Sequence, residues 1–142
     1  EQLKRRAKNQ GFKFAVRLNG TSDLAWHKFK LLDGQSVMDL HADVQFYDYT
    51  KVLSHLNHGL KNYHVTFSDS GRNDPDIKKA MHMGANVAVV FRNKLPKKWL
   101  NKKVINGDKH DLRYRDPAGV IVGLIAKGLG KKDINNSFIK CL

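Results

Sequence analysis

YHVTFSDSGRNDPDIKKAMHMGANVAVVF, residues 63–91, is the stretch on which the fold turns. Tyr63 to Phe67 is β-branched and aromatic and reads as a strand. Ser68-Asp69-Ser70-Gly71-Arg72-Asn73 is a polar loop. Asp74 followed by Pro75 reads as an N-cap with proline in the first helical turn. The helix runs to about Met83 with Ile77, Ala80 and Met81 on one face, and Gly84 ends it. Asn86 to Phe91 is a nearly continuous apolar run, the pattern of a strand buried on both faces. A strand, a crossover helix and a second strand imply parallel pairing with a right-handed connection.

The same alternation extends outward. Phe12 to Leu18 alternates as a strand, and Ser22 or Asp23 can cap a following helix carrying Leu24, Trp26 and Phe29. Val37 to His41 is a short helical or irregular piece. Val44 to Tyr49 is a strand, and Thr50 can cap a helix from Lys51 to Leu56. Beyond Leu95-Pro96 come a basic segment with Trp99, then Val104-Ile105 and an Asn106-Gly107 turn. Gly119 to Ala126 is a last apolar strand. The expected fold is a single α/β domain over 1–142. It has a four- to five-stranded, mainly parallel sheet with crossover helices, either half of an eightfold barrel or a small open sheet. Residues 1–11 form a basic helix or arm, and 129–142 a basic tail.

Composition narrows the function classes. Lys and Arg total 26 against 13 acids, a formal net charge of +13, and every acid except Glu1 is an aspartate. An excess of this size attracts polyanions. The one cysteine, Cys141, cannot close an internal disulfide. No apolar run approaches the roughly 18 residues of a membrane span, and no secretory signal is visible, so a reducing intracellular setting and no membrane partner are expected.

Six blocks carry a resemblance: RLNGTSD (17–23), VQFYDYTK (44–51), NYHVTFS (62–68), NVAVVF (86–91), VINGDKHDLRYRDP (104–117) and GVIVGLIAKG (119–128). Together they resemble a family of uncharacterised bacteriophage proteins. The resemblance implies action in the host cytoplasm and carries no established activity. Longer members of that family look like a Cys-containing portion followed by this region, similar to an iron–sulfur or radical-type barrel. This chain has no cysteine before Cys141. It lacks the three thiolates such a cluster takes, so no cofactor is expected.

Three constellations stand out. Loops after parallel strands share one sheet edge, where α/β folds place their sites. Arg17, Asp23, Asp48, His64 and Asp69, with Asn19 and Thr66, are therefore the candidate catalytic or ligand-binding residues. Asp108, His110 and Asp111 are candidate metal ligands, with the alternative that Asp111 pairs with Arg113 as a structural contact. Of the seven histidines only His55 and His58 have a spacing that lets them share a metal. The basic segments supply the third set: Arg5, Arg6, Arg92, Lys94, Lys97, Lys98, Lys102, Lys103, Lys131 and Lys132 as phosphate contacts, with Trp99 to stack on a base or to close the core.

The leading expectation is non-specific nucleic-acid binding, resting on these cations being gathered on one face. The alternatives are an enzyme or enzyme remnant with its site at the strand ends, and a small effector that binds an acidic host protein.

Overall fold

The computed structural model describes residues 1–142, apart from the side chain of Leu32. The strands are β1 (Ala15–Val16), β2 (Gln45–Thr50), β3 (Tyr63–Ser68), β4 (Val87–Phe91), β5 (Lys98–Trp99), β6 (Lys102–Asn106), β7 (Ile121–Ile125) and β8 (Ile139–Lys140). The helices are α1 (Gln2–Asn9), α2 (Val37–Leu40) and α3 (Asp74–His82). One mixed sheet runs in the order β1-β2-β3-β4-β7-β6-β5. All neighbours are parallel except β5, which is antiparallel to β6. β3 pairs only with the start of β4, and β8 pairs with its end, at Val90↔Ile139 and Phe91↔Lys140. Since β7 occupies the whole other side of β4, β8 continues the lane that β3 leaves.

The parallel α/β expectation holds, and two details change. Eight strands are present rather than four or five. The added ones are two residues long or, in β6, broken by lysines that hide the apolar pattern. The chain-order neighbours that half a barrel requires also stop at β4, because β7 inserts between β4 and β6.

Alternation along each strand sorts the sheet into two faces. Phe46, Tyr63, Val65, Phe67, Val87, Val89, Phe91 and Ile121 lie on one face, in two apolar clusters. α3 presses Ile77 and Ala80, both fully buried, onto this face, and burial of one such isoleucine contributes about 1.5–3 kcal/mol. Leu95 and Trp99 close its far end. Gly123 sits in β7 where a Cβ would come 2.7 Å from Val104 and 2.8 Å from Leu95, so only glycine lets these two approach.

The opposite face carries Tyr47, Tyr49, His64, Thr66 and Ser68. The β6–β7 crossover lies over it, with Tyr114 against Tyr47 at 5.7 Å between ring centres. The β4–β6 connection thus packs on one face and the β6–β7 connection on the other. The crevice at the strand ends lies on this second face, beside the β6–β7 crossover.

Three local expectations shift. The helix after Ser22 is only a 3-10 turn, Trp26–Lys28, because Asp23 is used elsewhere. The one after Thr50 is likewise a 3-10 turn, Leu53–Leu56. α3 begins at Asp74 with Asn73 as its N-cap residue. The Asn73 side chain accepts from the Ser70 N–H and donates to the Ser68 carbonyl, bracing the preceding loop instead.

Candidate functional site

The strand-end candidates separate by face. Asn19 and Asp48 belong to the apolar face. Asp48 is buried and accepts from the Asn19 N–H at 2.7 Å and the Tyr63 hydroxyl at 3.0 Å. Burial raises its carboxyl above the usual range, and these two donors pull it back. The Asn19 side chain in turn receives Ser22, Leu24 and Trp26, which folds the loop over the core. Asp23 accepts from the Thr50 hydroxyl at 2.6 Å and the Lys51 N–H at 2.7 Å, and lies 3.3 Å from His55 Nδ1. Asp69 is fully buried at the end of β3. It accepts from the Gly71 N–H and pairs with Lys140 at 3.0 Å, tying β8 to β3. Gly71, at φ 76°, makes this possible, since a Cβ there would lie 2.6 Å from the Phe138 backbone. These four residues hold loops together.

Arg17 and His64 occupy the other face. The Arg17 guanidinium lies 4.8 Å above the Tyr49 ring. Its Nε donates to the Asn19 carbonyl, and its Nη1 donates to Asp111 at 3.2 Å. The Tyr49 hydroxyl donates to the second Asp111 oxygen at 3.1 Å. Burial is the main cause that drives the Tyr49 phenol well above its ordinary value. His64 meets Thr66 at 3.3 Å, and burial lowers its basicity. Around Arg17 and Tyr49 opens a cleft of about 550 Å³, with Ser68, Asp108, His110 and Asp111 on its polar side and Val90, Leu124 and Phe138 on its apolar side.

The expected pairing of Asp111 with Arg113 is replaced. Asp111 faces Arg17, while Arg113 is fully buried and pairs with Asp116 at 3.3 Å. Arg113 also donates to the carbonyls of Gly107 and His110. Residues 107–116 are not extended but coil into two 3-10 turns, which brings Arg113 back beneath its own loop. Asp108 accepts from the Ile125 N–H at 2.9 Å and from Lys127 at 2.8 Å, and Lys127 holds its carboxyl below the usual range. Among the described residues no three His, Cys, Asp or Glu side chains gather as a metal site. His55 and His58 each approach His27 instead, both at 5.9 Å between ring centres.

With this geometry in place the comparisons with known proteins decide the family. The family model described as Gene product 88 matches residues 1–141. The chain belongs to the Gene product 88 family. That agrees with the phage family its sequence blocks resemble. No curated protein and no solved structure matches it. Among the described residues no helix is long and apolar enough to cross a membrane.

In this member of the Gene product 88 family the cations fall into two groups. Arg5 and Arg6 sit on α1, which Lys4 anchors to Asp43 at 2.7 Å beside the β1–β2 edge. The larger group lies towards the other edge. β5 and β6 form a hairpin whose two-residue turn is Leu100-Asn101, at φ 46° and 61°, and the chain turns again at Asn106-Gly107, as expected, where a 3-10 turn begins. Lys98 stands opposite Lys103, and Trp99 opposite Lys102. Like charges directly opposite one another destabilise a strand pair. Trp99 turns to the core, edge-on to Phe91 at 6.4 Å, and so closes the apolar face. Lys78 and His82 of α3 line a groove of about 520 Å³ with Leu100 and Lys102.

The basic tail docks at the end of β4 rather than hanging free. Arg92, at the end of β4, donates to the carbonyls of Lys131 and Asp133. Lys131 and Lys132 are exposed on the loop it holds. The signal that sequence reading passed over is the spacing of acids. No Asp or Glu occurs between Asp76 and Asp108, a stretch that contains the last two turns of α3 and all of β4, β5 and β6.

Proposed function

We propose that the protein binds nucleic acid through phosphate contacts, without reading sequence, on the surface formed by α3 and the β5–β6 hairpin. One observation supports this reading: residues 77–107 hold eight Lys and Arg and no acid, so no carboxylate within the stretch neutralises them. Lys78, Lys94, Lys97, Lys98, Lys102 and Lys103 have no ion-pair partner among the described residues. Opposed Lys98 and Lys103 repel each other in the free protein, and a phosphate between them relieves the repulsion. On this reading the contacts are made in the host cytoplasm, in keeping with the phage resemblance.

Each neutralised phosphate releases counterions and adds about −0.9 to the slope of log K against log salt on duplex DNA. The test is fluorescence anisotropy with a random-sequence duplex at several salt concentrations. The variant Lys97→Gln/Lys98→Gln/Lys102→Gln/Lys103→Gln is expected to make the slope shallower by about 3–4. An unchanged slope in that variant overturns the assignment to the hairpin. Affinity indifferent to salt overturns phosphate contact altogether.

A further inference from the structure

In the cleft at the strand ends Arg17 and Tyr49 form a pair of donors that together hold both oxygens of one carboxylate, Asp111. One Asp111 oxygen receives Arg17 Nη1 at 3.2 Å, and the other receives the Tyr49 hydroxyl at 3.1 Å. The receptor is fixed from behind. Arg17 is stacked on the Tyr49 ring and held through Nε by the Asn19 carbonyl. Asn19 is itself buried and bonded to Asp48. The occupant is held far less firmly. The Asp111 side chain is 54% exposed and belongs to the turn between two short 3-10 segments of the crossover. A rigid receptor and a loosely held carboxylate make an exchangeable pair, because a surface ion pair contributes only about 0–1 kcal/mol.

The remainder of the cleft indicates what replaces Asp111. Ser68 and His110 add polar groups beside the receptor, Asp108 lines the cleft with its charge taken up by Lys127 and the Ile125 N–H, and Val90, Leu124 and Phe138 form an apolar wall. A few convergent polar groups set against apolar walls in a crevice of about 550 Å³ are the features of a small-molecule site. We infer that this cleft binds a small organic anion, with a carboxylate or phosphate head on Arg17 and Tyr49 and an apolar body against Leu124 and Phe138, and that Asp111 guards the site by occupying it when empty. This inference is independent of nucleic-acid binding at the hairpin.

The test is NMR titration of ¹⁵N-labelled full chain with phenyl phosphate and with benzoate, inorganic phosphate serving as the headgroup-only probe. Amide shifts are expected at Arg17, Tyr49, Ser68, Asp111 and Leu124, with phenyl phosphate bound more tightly than inorganic phosphate. Asp111→Asn removes the competing charge and is expected to tighten binding by about tenfold. Tyr49→Phe, which leaves the Arg17 stacking surface intact, weakens it by about three- to tenfold, and Arg17→Gln abolishes it. A merely structural Arg17–Asp111 pair predicts the opposite for Asp111→Asn, namely unchanged or weaker binding, and that result overturns the inference. Shifts confined to residues 78–103, or no preference for phenyl phosphate over inorganic phosphate, overturn it as well.

Discussion

The crossover loop and the β5–β6 hairpin are both rich in cations, but they treat the charge in opposite ways. In the crossover and the strand ends it covers, each cation that matters has a carboxylate: Arg17 with Asp111, Arg113 with Asp116, Lys127 with Asp108. In the hairpin the lysines face one another across the ladder. Charge in the first region is largely paired and structural. The net excess of the chain accumulates in the second, where there is no acid to cancel it. Total charge alone therefore does not describe the molecule; the position of the twelve aspartates does.

The largest effect that can break this contrast is expected at Arg113. Its side chain is fully buried, and that of Asp116 is 4% exposed. Arg113→Ala leaves Asp116 buried without its counter-charge and is expected to cost about 3–5 kcal/mol, measured by urea unfolding. A loss below 1 kcal/mol in that experiment shows that the pair is not the structural element described here.

Next in size is Gly123→Ala, which drives a Cβ into Val104 and Leu95 beneath the hairpin. Overpacking of this kind costs about 1–3 kcal/mol. If the hairpin is anchored to the core through these contacts, its amide protons in the same variant exchange faster than those of β2.

A smaller effect comes from the histidines. His27 packs near His55, His58 and Tyr63, and neither of its ring nitrogens has a hydrogen-bond partner. Burial, followed by the charges of His55, Lys28 and Lys30, lowers its affinity for a proton. Burial and His27 do the same to His58. With the folded values below the ordinary 6.5, the unfolded chain binds more protons as pH falls through that value. Stability is therefore lost on acidification from about pH 6.5 downward and regained above it. Thermal melts between pH 7.5 and 5.5 are expected to show a falling Tm, and His27→Phe to flatten the dependence. A Tm that rises on acidification contradicts the sign.

The smallest change is Lys98→Glu. It converts an opposed lysine pair into an opposite-charge pair, so stability should rise by about 0.2–1 kcal/mol. Nucleic-acid affinity should fall in the same variant.

Much of the architecture was legible because it obeys simple periods. Val65, Phe67, Val87 and Val89 announce strands, and Pro75 and Gly84 bracket α3. β6 was less legible, since Lys102 and Lys103 occupy its first two positions and β-propensity there is overridden by pairing with β7. The sequence reading grouped the strand-end residues without dividing them between the two faces. Alternation places Arg17 and Tyr49 on one face and Asp48 on the other, but the partners that matter are distant in sequence. Asp111 lies 94 residues from Arg17, and no local pattern connects them. The burial of Arg113 has no local signal either, since it depends on a loop folding back over a sheet. The three basic segments were legible as charge but not as one face: α1 belongs to the β1–β2 edge, whereas Arg92 brings the tail to the end of β4.

The most direct measurement is a residue-level map of the nucleic-acid surface, by titrating ¹⁵N-labelled protein with a short duplex at low salt. The account predicts that shifts concentrate at Lys78, His82 and residues 94–103, and that they vanish as salt rises. Shifts spread evenly over every lysine, or centred on α1 with the hairpin silent, would contradict it.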